Sequence, residues 1–202
     1  MTQQLTLPKD VALAAVTFDV PLSRQAFAAF CSLNPDIIAE LTPDGKVQIM
    51  SAVTALSAYN ENIISTMLTM WALRGDKGDV FSASGGFDLP DGSVRCPDAV
   101  FVSRERMDEL PDDAMDSYLP VVPDFVVEVR SKSDSLAKLR RKMTDTWMAN
   151  GVRLAWLVDI KKRRVFFYHR DGQVECIEDP TAHLNGGDVL PGFEFDLGML
   201  RW

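Results

Sequence analysis

The sequence predicts a single α/β domain in which two long helices alternate with groups of strands. Apolar residues recur at helical spacing in two segments, 57–74 and 133–150. Around these segments, short runs rich in β-branched residues, such as 125–130, alternate with turn-forming triplets of the Pro-Asp-Gly and Arg-Asp-Gly type. Neither a repeat nor a linker divides the chain, so residues 1–202 are predicted to form one domain.

The first half of the chain contains two predicted helices and a hairpin. Ser23 is placed to cap a short helix that ends before Asn34-Pro35, because the residue before a proline disfavours the α conformation. A Pro-Asp-Gly turn at 43–45 predicts a hairpin, and Gly75 ends the first long helix. The side chains expected to face inward from the two helices are Ala26, Phe27, Phe30, Ile63, Ile64, Met67, Leu68 and Trp71.

The second half of the chain is predicted to be mainly strands around one helix. Ser133 or Asp134 would cap this helix, and Leu136, Leu139, Met143 and Trp147 form its apolar stripe. Residues 104–118 are acidic and contain prolines, which predicts a surface segment. The predicted strands are 80–82, 87–89, 94–102, 125–130, 154–159, 164–169, 173–178 and 190–195.

The composition excludes several classes of protein. The chain has 47% hydrophobic residues, no secretion signal in its first ten positions and no run near the roughly 20 apolar residues that cross a membrane, so a soluble cytoplasmic protein without membrane contact is expected. Cys31, Cys96 and Cys176 lie too far apart to suggest a disulfide framework or a zinc–thiolate site. His169 and His183 are too few for a typical catalytic zinc site. Any metal would therefore be held by oxygen.

The basic residues are unevenly distributed along an acidic chain. A net charge of -8 argues against binding of nucleic acid over the whole surface. Two clusters stand apart, LAKLRRK at 136–142 and IKKRR at 160–164. The sequence leaves open whether each cluster is a solvated surface or a phosphate contact.

Two carboxylates interrupt predicted core strands. Period-two alternation places Asp98 on the same face as Val100, and it places Glu128 on the same face as Arg130. A buried carboxylate requires a cation or a metal as its partner. For Glu128 the partner can be Arg130 or Lys142, or the strand face can be exposed to water; Asp98 can simply cap the start of its strand.

The order of these motifs resembles a known family. VRCPDAVFV, then PDFVVEVRSKSDS, then KLRRKMTDTWMANGVRLAWLVD resembles the Uma-type restriction endonuclease family, which belongs to the PD-(D/E)XK nuclease superfamily. The resemblance extends from about Phe27 to LPGFEFDL near the end of the chain. It implies a restriction-endonuclease-like mixed sheet flanked by helices. It also implies that Asp98 and Glu128 bind Mg²⁺ or Mn²⁺, which lowers the pKa of a bound water and neutralises charge on a phosphate.

The third catalytic group of the superfamily is a lysine two residues after the second carboxylate. Arg130 occupies that position here, and an arginine cannot deprotonate to act as a base, although it can stabilise charge on a phosphate. The resemblance suggests that the following helix supplies the lysine, and Lys142 is the candidate. It lies roughly 105° from the centre of the apolar stripe, whereas Lys138 and Arg141 lie roughly 150° away. Lys142 can also be an ordinary surface lysine.

Two further residues are weaker candidates. Lys132 lies in the loop after the strand that carries Glu128, and Glu61 lies in the first long helix, where it would add a carboxylate. Lys132, like Arg140 on the opposite margin of the helix, is not excluded as the catalytic cation, whereas no clear motif matches Glu61.

Three functions follow from these expectations. The first is a metal-dependent endonuclease that cleaves DNA, acting as a homodimer if both strands are cut. The second is a catalytically silent relative that keeps the fold as a binding or assembly module. The third is a hydrolase acting on RNA or on a small phosphoester, which would suit the acidic chain.

Overall fold

The computed structural model describes residues 15–18, 21–131 and 134–202, and this part of the chain contains thirteen strands and four α-helices. The strands are β1 (Ala15–Phe18), β2 (Ala39–Leu41), β3 (Val47–Met50), β4 (Gly78–Ser82), β5 (Phe87–Asp88), β6 (Val94–Arg95), β7 (Ala99–Ser103), β8 (Phe125–Arg130), β9 (Leu154–Asp159), β10 (Arg164–His169), β11 (Val174–Ile177), β12 (His183–Gly186) and β13 (Leu190–Asp196). The helices are α1 (Arg24–Leu33), α2 (Ala55–Leu73), α3 (Arg104–Asp108) and α4 (Leu136–Arg141). None of these helices is both long and apolar enough to span a membrane.

A mixed six-stranded sheet forms the centre of the fold. Its strand order is β11-β10-β9-β8-β7-β4, and only the β8–β9 pair is parallel. The two central strands are almost wholly buried, as expected for apolar runs covered on both faces. The predicted α/β fold class with a mixed sheet is therefore confirmed.

Helices cover both faces of this sheet because successive residues of β8 point to opposite sides. On one side Val127 packs in a core with Leu68 of α2, joined by the two-stranded β12–β13 sheet. On the other side Val126 packs with Met143 and Trp147, which follow α4 in the chain. The predicted stripes of both long helices thus face the sheet.

A smaller sheet, with the order β1-β3-β2-β6-β5, carries α1. Ser23 caps α1 as predicted, and its hydroxyl accepts a hydrogen bond from the Ala26 N–H (3.2 Å). Phe27 is buried against β2 and β3, and Phe30 is partly buried. Ala26 was expected to face inward but is exposed, because a ten-residue helix packing one edge on a narrow sheet buries little more than Phe27.

Several predicted strands and turns are confirmed, but one predicted strand forms two separate strands in the structure. The predicted strand 94–102 is split at Pro97-Asp98 into β6, in the smaller sheet, and β7, in the central sheet. Proline has no N–H for the strand ladder, which favours a break at this point. The segment 104–118 is largely exposed, as expected, although it begins with the short helix α3. The short strand β12 was not predicted, since its sequence HLNG lacks the usual strand formers.

The helix after β8 differs from its prediction in two respects. Ser133 lies outside the described residues, and the cap is Ser135, whose hydroxyl accepts from the Lys138 N–H. The carboxylate of Asp134, the other predicted cap, accepts from the Ser131 N–H (2.8 Å) and so closes the preceding turn instead. Beyond α4 the helix continues as a π-helix, Lys142–Met148. Such wide turns are rare and often occur at functional sites.

The packing of α2 gives a prediction about stability. Leu68→Ala should lower the free energy of unfolding by about 2–5 kcal/mol, because Leu68 is fully buried and its truncation leaves a cavity. Leu73→Ala, on the same helix but 76% exposed, should change it by less than about 0.5 kcal/mol. Urea denaturation followed by circular dichroism measures both. Equal losses in the two variants would contradict the burial of Leu68 and the exposure of Leu73.

Candidate active site

Asp98, which immediately precedes β7, lies beside Glu128 of the adjacent strand β8. The Asp98 N–H donates to the Val127 carbonyl (3.0 Å), which extends the antiparallel ladder by one residue beyond Ala99. The Asp98 Oδ2 atom accepts from the Val129 N–H (2.5 Å). These two backbone contacts hold the Asp98 carboxylate beside Glu128, which is 5% exposed.

Lys142 reaches this pair from the start of the π-helix. Its Nζ atom is 2.8 Å from Glu128 Oε1 and 3.0 Å from Glu40 Oε1. The Lys142 side chain is 18% exposed, so most of it is buried at the site. Of the two partners proposed for Glu128 from the sequence, the structure pairs it with Lys142 and not with Arg130.

Within the described chain, each of the two carboxylates has one oxygen with hydrogen-bond donors and one without. Trp147 donates its indole N–H to the same Glu128 Oε1 atom (2.8 Å) that Lys142 contacts. Among the described residues, Glu128 Oε2 and Asp98 Oδ1 therefore have no hydrogen-bond donor. Each carboxylate therefore keeps one oxygen without a donor in this part of the chain.

Glu40 is a member of the cluster that sequence reasoning missed. It is 2% exposed and also accepts from the Arg95 guanidinium (2.9 Å) and the Cys96 N–H (3.1 Å). The only signal in the sequence was a carboxylate between the two apolar residues of the three-residue strand β2. Such a short strand does not show from its pattern which face is buried.

The pKa values of three carboxyls respond to burial and to one another. Burial and the like charges of Glu128 and Glu61 raise the pKa of Asp98 well above its usual value. Burial also raises the pKa of Glu128, although Lys142 opposes the rise. Glu61 of α2 shows the same behaviour, since burial and Glu128 raise its pKa. Glu61 is thus close enough to the Asp98–Glu128 pair to repel it, and this repulsion favours protons or an added cation.

Glu40 and Lys142 have the opposite tendency and form the charged core of the site. Burial works against ionised Glu40, but Lys142, Arg95 and the Cys96 N–H outweigh it and lower the pKa of Glu40. Burial also works against protonated Lys142, but Glu128 and Glu40 outweigh it and raise the pKa of Lys142. Lys142 is therefore a permanent cation at neutral pH and has no capacity to act as a base.

The other predicted site residues lie elsewhere. Arg130 follows Glu128 by two residues, but its guanidinium is held by Asp159 (2.8 Å) on the neighbouring strand and by the Asp134 carbonyl (3.2 Å). Lys132 lies outside the described residues. No group of three or more His, Cys, Asp or Glu side chains with the spacing of a metal centre occurs in the described parts of the chain.

A mixed sheet between helices, with paired Asp and Glu side chains and a lysine on neighbouring elements, defines the restriction-endonuclease-like class of folds. The Uma2 family, described as "Putative restriction endonuclease", matches residues 24–198, so the chain belongs to this family. A comparison with curated proteins gave no significant match.

A solved structure supports the same fold. The chain is similar to a protein from Anabaena variabilis described as a "putative nuclease belonging to DUF820", with a TM-score of 0.67 and 14% sequence identity. The similarity covers 80% of this chain and 88% of that one. Family and fold together support a nuclease.

The position of Lys142 between two buried carboxylates gives a prediction about stability and pH. In EDTA, Lys142→Met should lower the free energy of unfolding at neutral pH by about 2 kcal/mol or more, because Glu40 and Glu128 lose their shared cation. Without that cation the folded-state pKa of each carboxyl rises, so the variant is most stable where both are protonated. Its deficit relative to the wild type should shrink as the pH falls towards about 5.

The matched control is Lys138→Met, one turn earlier on α4, where the side chain is exposed. It should stay within about 0.5 kcal/mol of the wild type at every pH. Denaturant unfolding at several pH values measures all three proteins. A deficit of Lys142→Met that is independent of pH would contradict the described ion pairs.

Proposed function

We propose that the chain is a metal-dependent nuclease that hydrolyses phosphodiester bonds of DNA, with its site formed by Asp98, Glu128 and Lys142. The observation that carries the proposal is the convergence of two repelling carboxylates and a permanently charged lysine on adjacent elements of a nuclease-family fold. If the enzyme cuts both strands, it acts as a homodimer, because a two-fold axis presents one site to each strand.

Asp98 and Glu128 would hold a Mg²⁺ or Mn²⁺ ion through the oxygens left without donors, Asp98 Oδ1 and Glu128 Oε2. Two carboxylate oxygens suit Mg²⁺, which keeps several waters and usually takes its other ligands from substrate phosphates. When bound, the ion supplies a water of lowered pKa and neutralises charge on the phosphate. The raised pKa of Asp98 supports this role, because a cation would relieve the repulsion from Glu128 and Glu61.

Lys142 would stabilise the negative charge that develops on the phosphate. Its raised pKa keeps the positive charge in place beside the two carboxylates. Glu40 acts as a positioning residue, since its contact with Lys142 Nζ is in turn fixed by Arg95 and by the Cys96 N–H. The guanidinium of Arg130 is held by Asp159 and by the Asp134 carbonyl, so Arg130 is not assigned a role in the reaction.

A second candidate function is a catalytically silent binding or assembly module. It is favoured by the same contacts, because Glu40 and Glu128 together can neutralise Lys142 and leave no free positive charge for a phosphate. An RNA or small phosphoester substrate would change the reactant but not the roles of the residues.

A plasmid-nicking assay tests the proposal. The wild type should nick supercoiled plasmid only with Mg²⁺ or Mn²⁺, Asp98→Asn should lose at least about 100-fold in rate, and Lys142→Gln at least about tenfold. Asp112→Asn, the same substitution in an exposed loop, should keep wild-type activity. Calorimetry with each metal should show binding that Asp98→Asn abolishes. A wild type that neither binds metal nor nicks would instead support the silent module.

The same Asp98→Asn variant should be more stable than the wild type at neutral pH. A carboxyl whose folded-state pKa is raised contributes stability when protonated, and this contribution disappears as the pH rises through the raised pKa. Asparagine has the same shape and does not ionise, so the advantage of the variant should grow between about pH 4 and about pH 8 and reach about 1 kcal/mol. Denaturation in EDTA measures it. A variant less stable than the wild type across this range would show that ionised Asp98 is not strained.

A further inference from the structure

Two basic segments account for much of the positive charge of the chain. Residues 136–141 and 160–164 contain seven of its 21 Lys and Arg residues and no Asp or Glu. The other 14 basic residues accompany 29 acidic ones. Outside these two segments the protein is therefore strongly acidic, and a polyanion would be repelled by most of its surface.

The fold joins these segments, which are separated by a helix and a strand in the chain. Arg140 of α4 and Arg164 at the start of β10 both lie against the ring of Phe166, with guanidinium carbons 5.2 Å and 4.8 Å from its centroid. Phe166 itself is buried and belongs to the core beneath α4. The ring of Phe166 thus brings an arginine of helix α4 and an arginine of strand β10 together. The cations of 138–141 and 161–164 are called the basic surface below.

The basic surface leads directly to the candidate active site. Asp159, which is fully buried, binds both Arg164 (3.4 Å) and Arg130 (2.8 Å). Arg130 is only two residues from Glu128 on the same face of β8, or about 7 Å along the strand. From the other side, Lys142 follows Arg141 directly in the helix. A ligand lying on the basic surface therefore meets the Glu128–Lys142 pair at its end.

Most of these cations are available to a ligand. Lys138, Arg141, Lys161 and Lys162 are exposed, and none has an acidic partner within salt-bridge distance among the described residues. Arg164 has one exposed acidic contact, Glu178 at 3.3 Å. The surface thus combines guanidinium groups held in place over a ring with exposed lysines, a combination that suits phosphate oxygens.

We infer that the basic surface binds the phosphate backbone of duplex DNA and guides it to the Asp98–Glu128–Lys142 site. The inference rests on the proposed function for its choice of DNA. A membrane is disfavoured as the partner, because none of the large apolar side chains exposed in the described chain lies in either basic segment, and a membrane-binding surface needs such anchors. Backbone contacts of this kind position a duplex without reading its sequence.

The test measures binding of the full chain to a fluorescent DNA duplex of about 20 base pairs by anisotropy, in EDTA and between about 50 and 200 mM NaCl. Two double variants each remove two charges from exposed positions, Lys138→Gln/Arg141→Gln and Lys161→Gln/Lys162→Gln. Each should raise the Kd at least about tenfold and reduce the slope of log K against log salt concentration by about 2, because two fewer counterions are released.

The matched control, Arg74→Gln/Arg170→Gln, changes the net charge equally at exposed positions remote from the basic surface. Arg74 follows α2 on the opposite face of the sheet, and Arg170 lies beyond the far end of β10. Its Kd should stay within about twofold of the wild type. Equal effects in all three double variants, no DNA binding by the wild type, or tighter binding of an RNA duplex or of anionic vesicles would overturn the inference.

Plasmid nicking by the same proteins separates this inference from the proposed function. If the two basic-surface variants bind DNA as the wild type does and metal-dependent nicking is intact, the DNA-binding role of the basic surface is rejected and the nuclease function is retained. Selective loss of DNA binding in those variants, with no nicking by the wild type, supports the basic surface and rejects the nuclease.

Discussion

The contact of Lys142 with Glu40 and Glu128 is the interaction on which the rest of the structure depends. It joins three elements that share no backbone hydrogen bonds with one another: β2 of the smaller sheet, β8 of the central sheet and the π-helix. Burying two carboxylates is unfavourable unless their charge is compensated; Lys142 contacts both, and Arg95 also pairs with Glu40. The smaller sheet is thereby attached to the central sheet by charge as well as by apolar packing.

The same contact explains how one group of residues can serve both the fold and the reaction. Trp147 and Lys142 contact one oxygen of Glu128, and the Val129 N–H contacts one oxygen of Asp98, which leaves the opposite oxygens without a donor among the described residues. These contacts thus hold each carboxylate in position through one oxygen and leave the other oxygen without a donor in the described chain. Asp98 has no cation of its own in the described parts of the chain, so its ionised form is destabilised by burial and by the neighbouring carboxylates. Perturbed pKa values of this kind are common at sites that bind a charged ligand.

The charge of the protein surface beside the site differs from that of the rest of the chain, which is acidic. A net charge of -8 would by itself weaken association with a polyanion, whereas the basic surface concentrates cations beside the site. Asp159 and Phe166 matter here because each holds two structural elements together through arginines. If the basic surface binds DNA as proposed, the acidic surroundings would disfavour other orientations of the duplex.

Local periodicity explains what the sequence determined by itself. The two-residue repeat of a strand was enough to place Asp98 and Glu128 on inward faces, and the helical repeat placed Lys142, but not Lys138, at the edge of the buried stripe. Tertiary structure alone decided the partners. Glu40 lies 102 residues from Lys142, Arg130 turned to Asp159 on a neighbouring strand, and two basic segments met at Phe166. Such pairs depend on the order of strands in the sheets and on how the helix crosses them, and no pattern within a single segment encodes either.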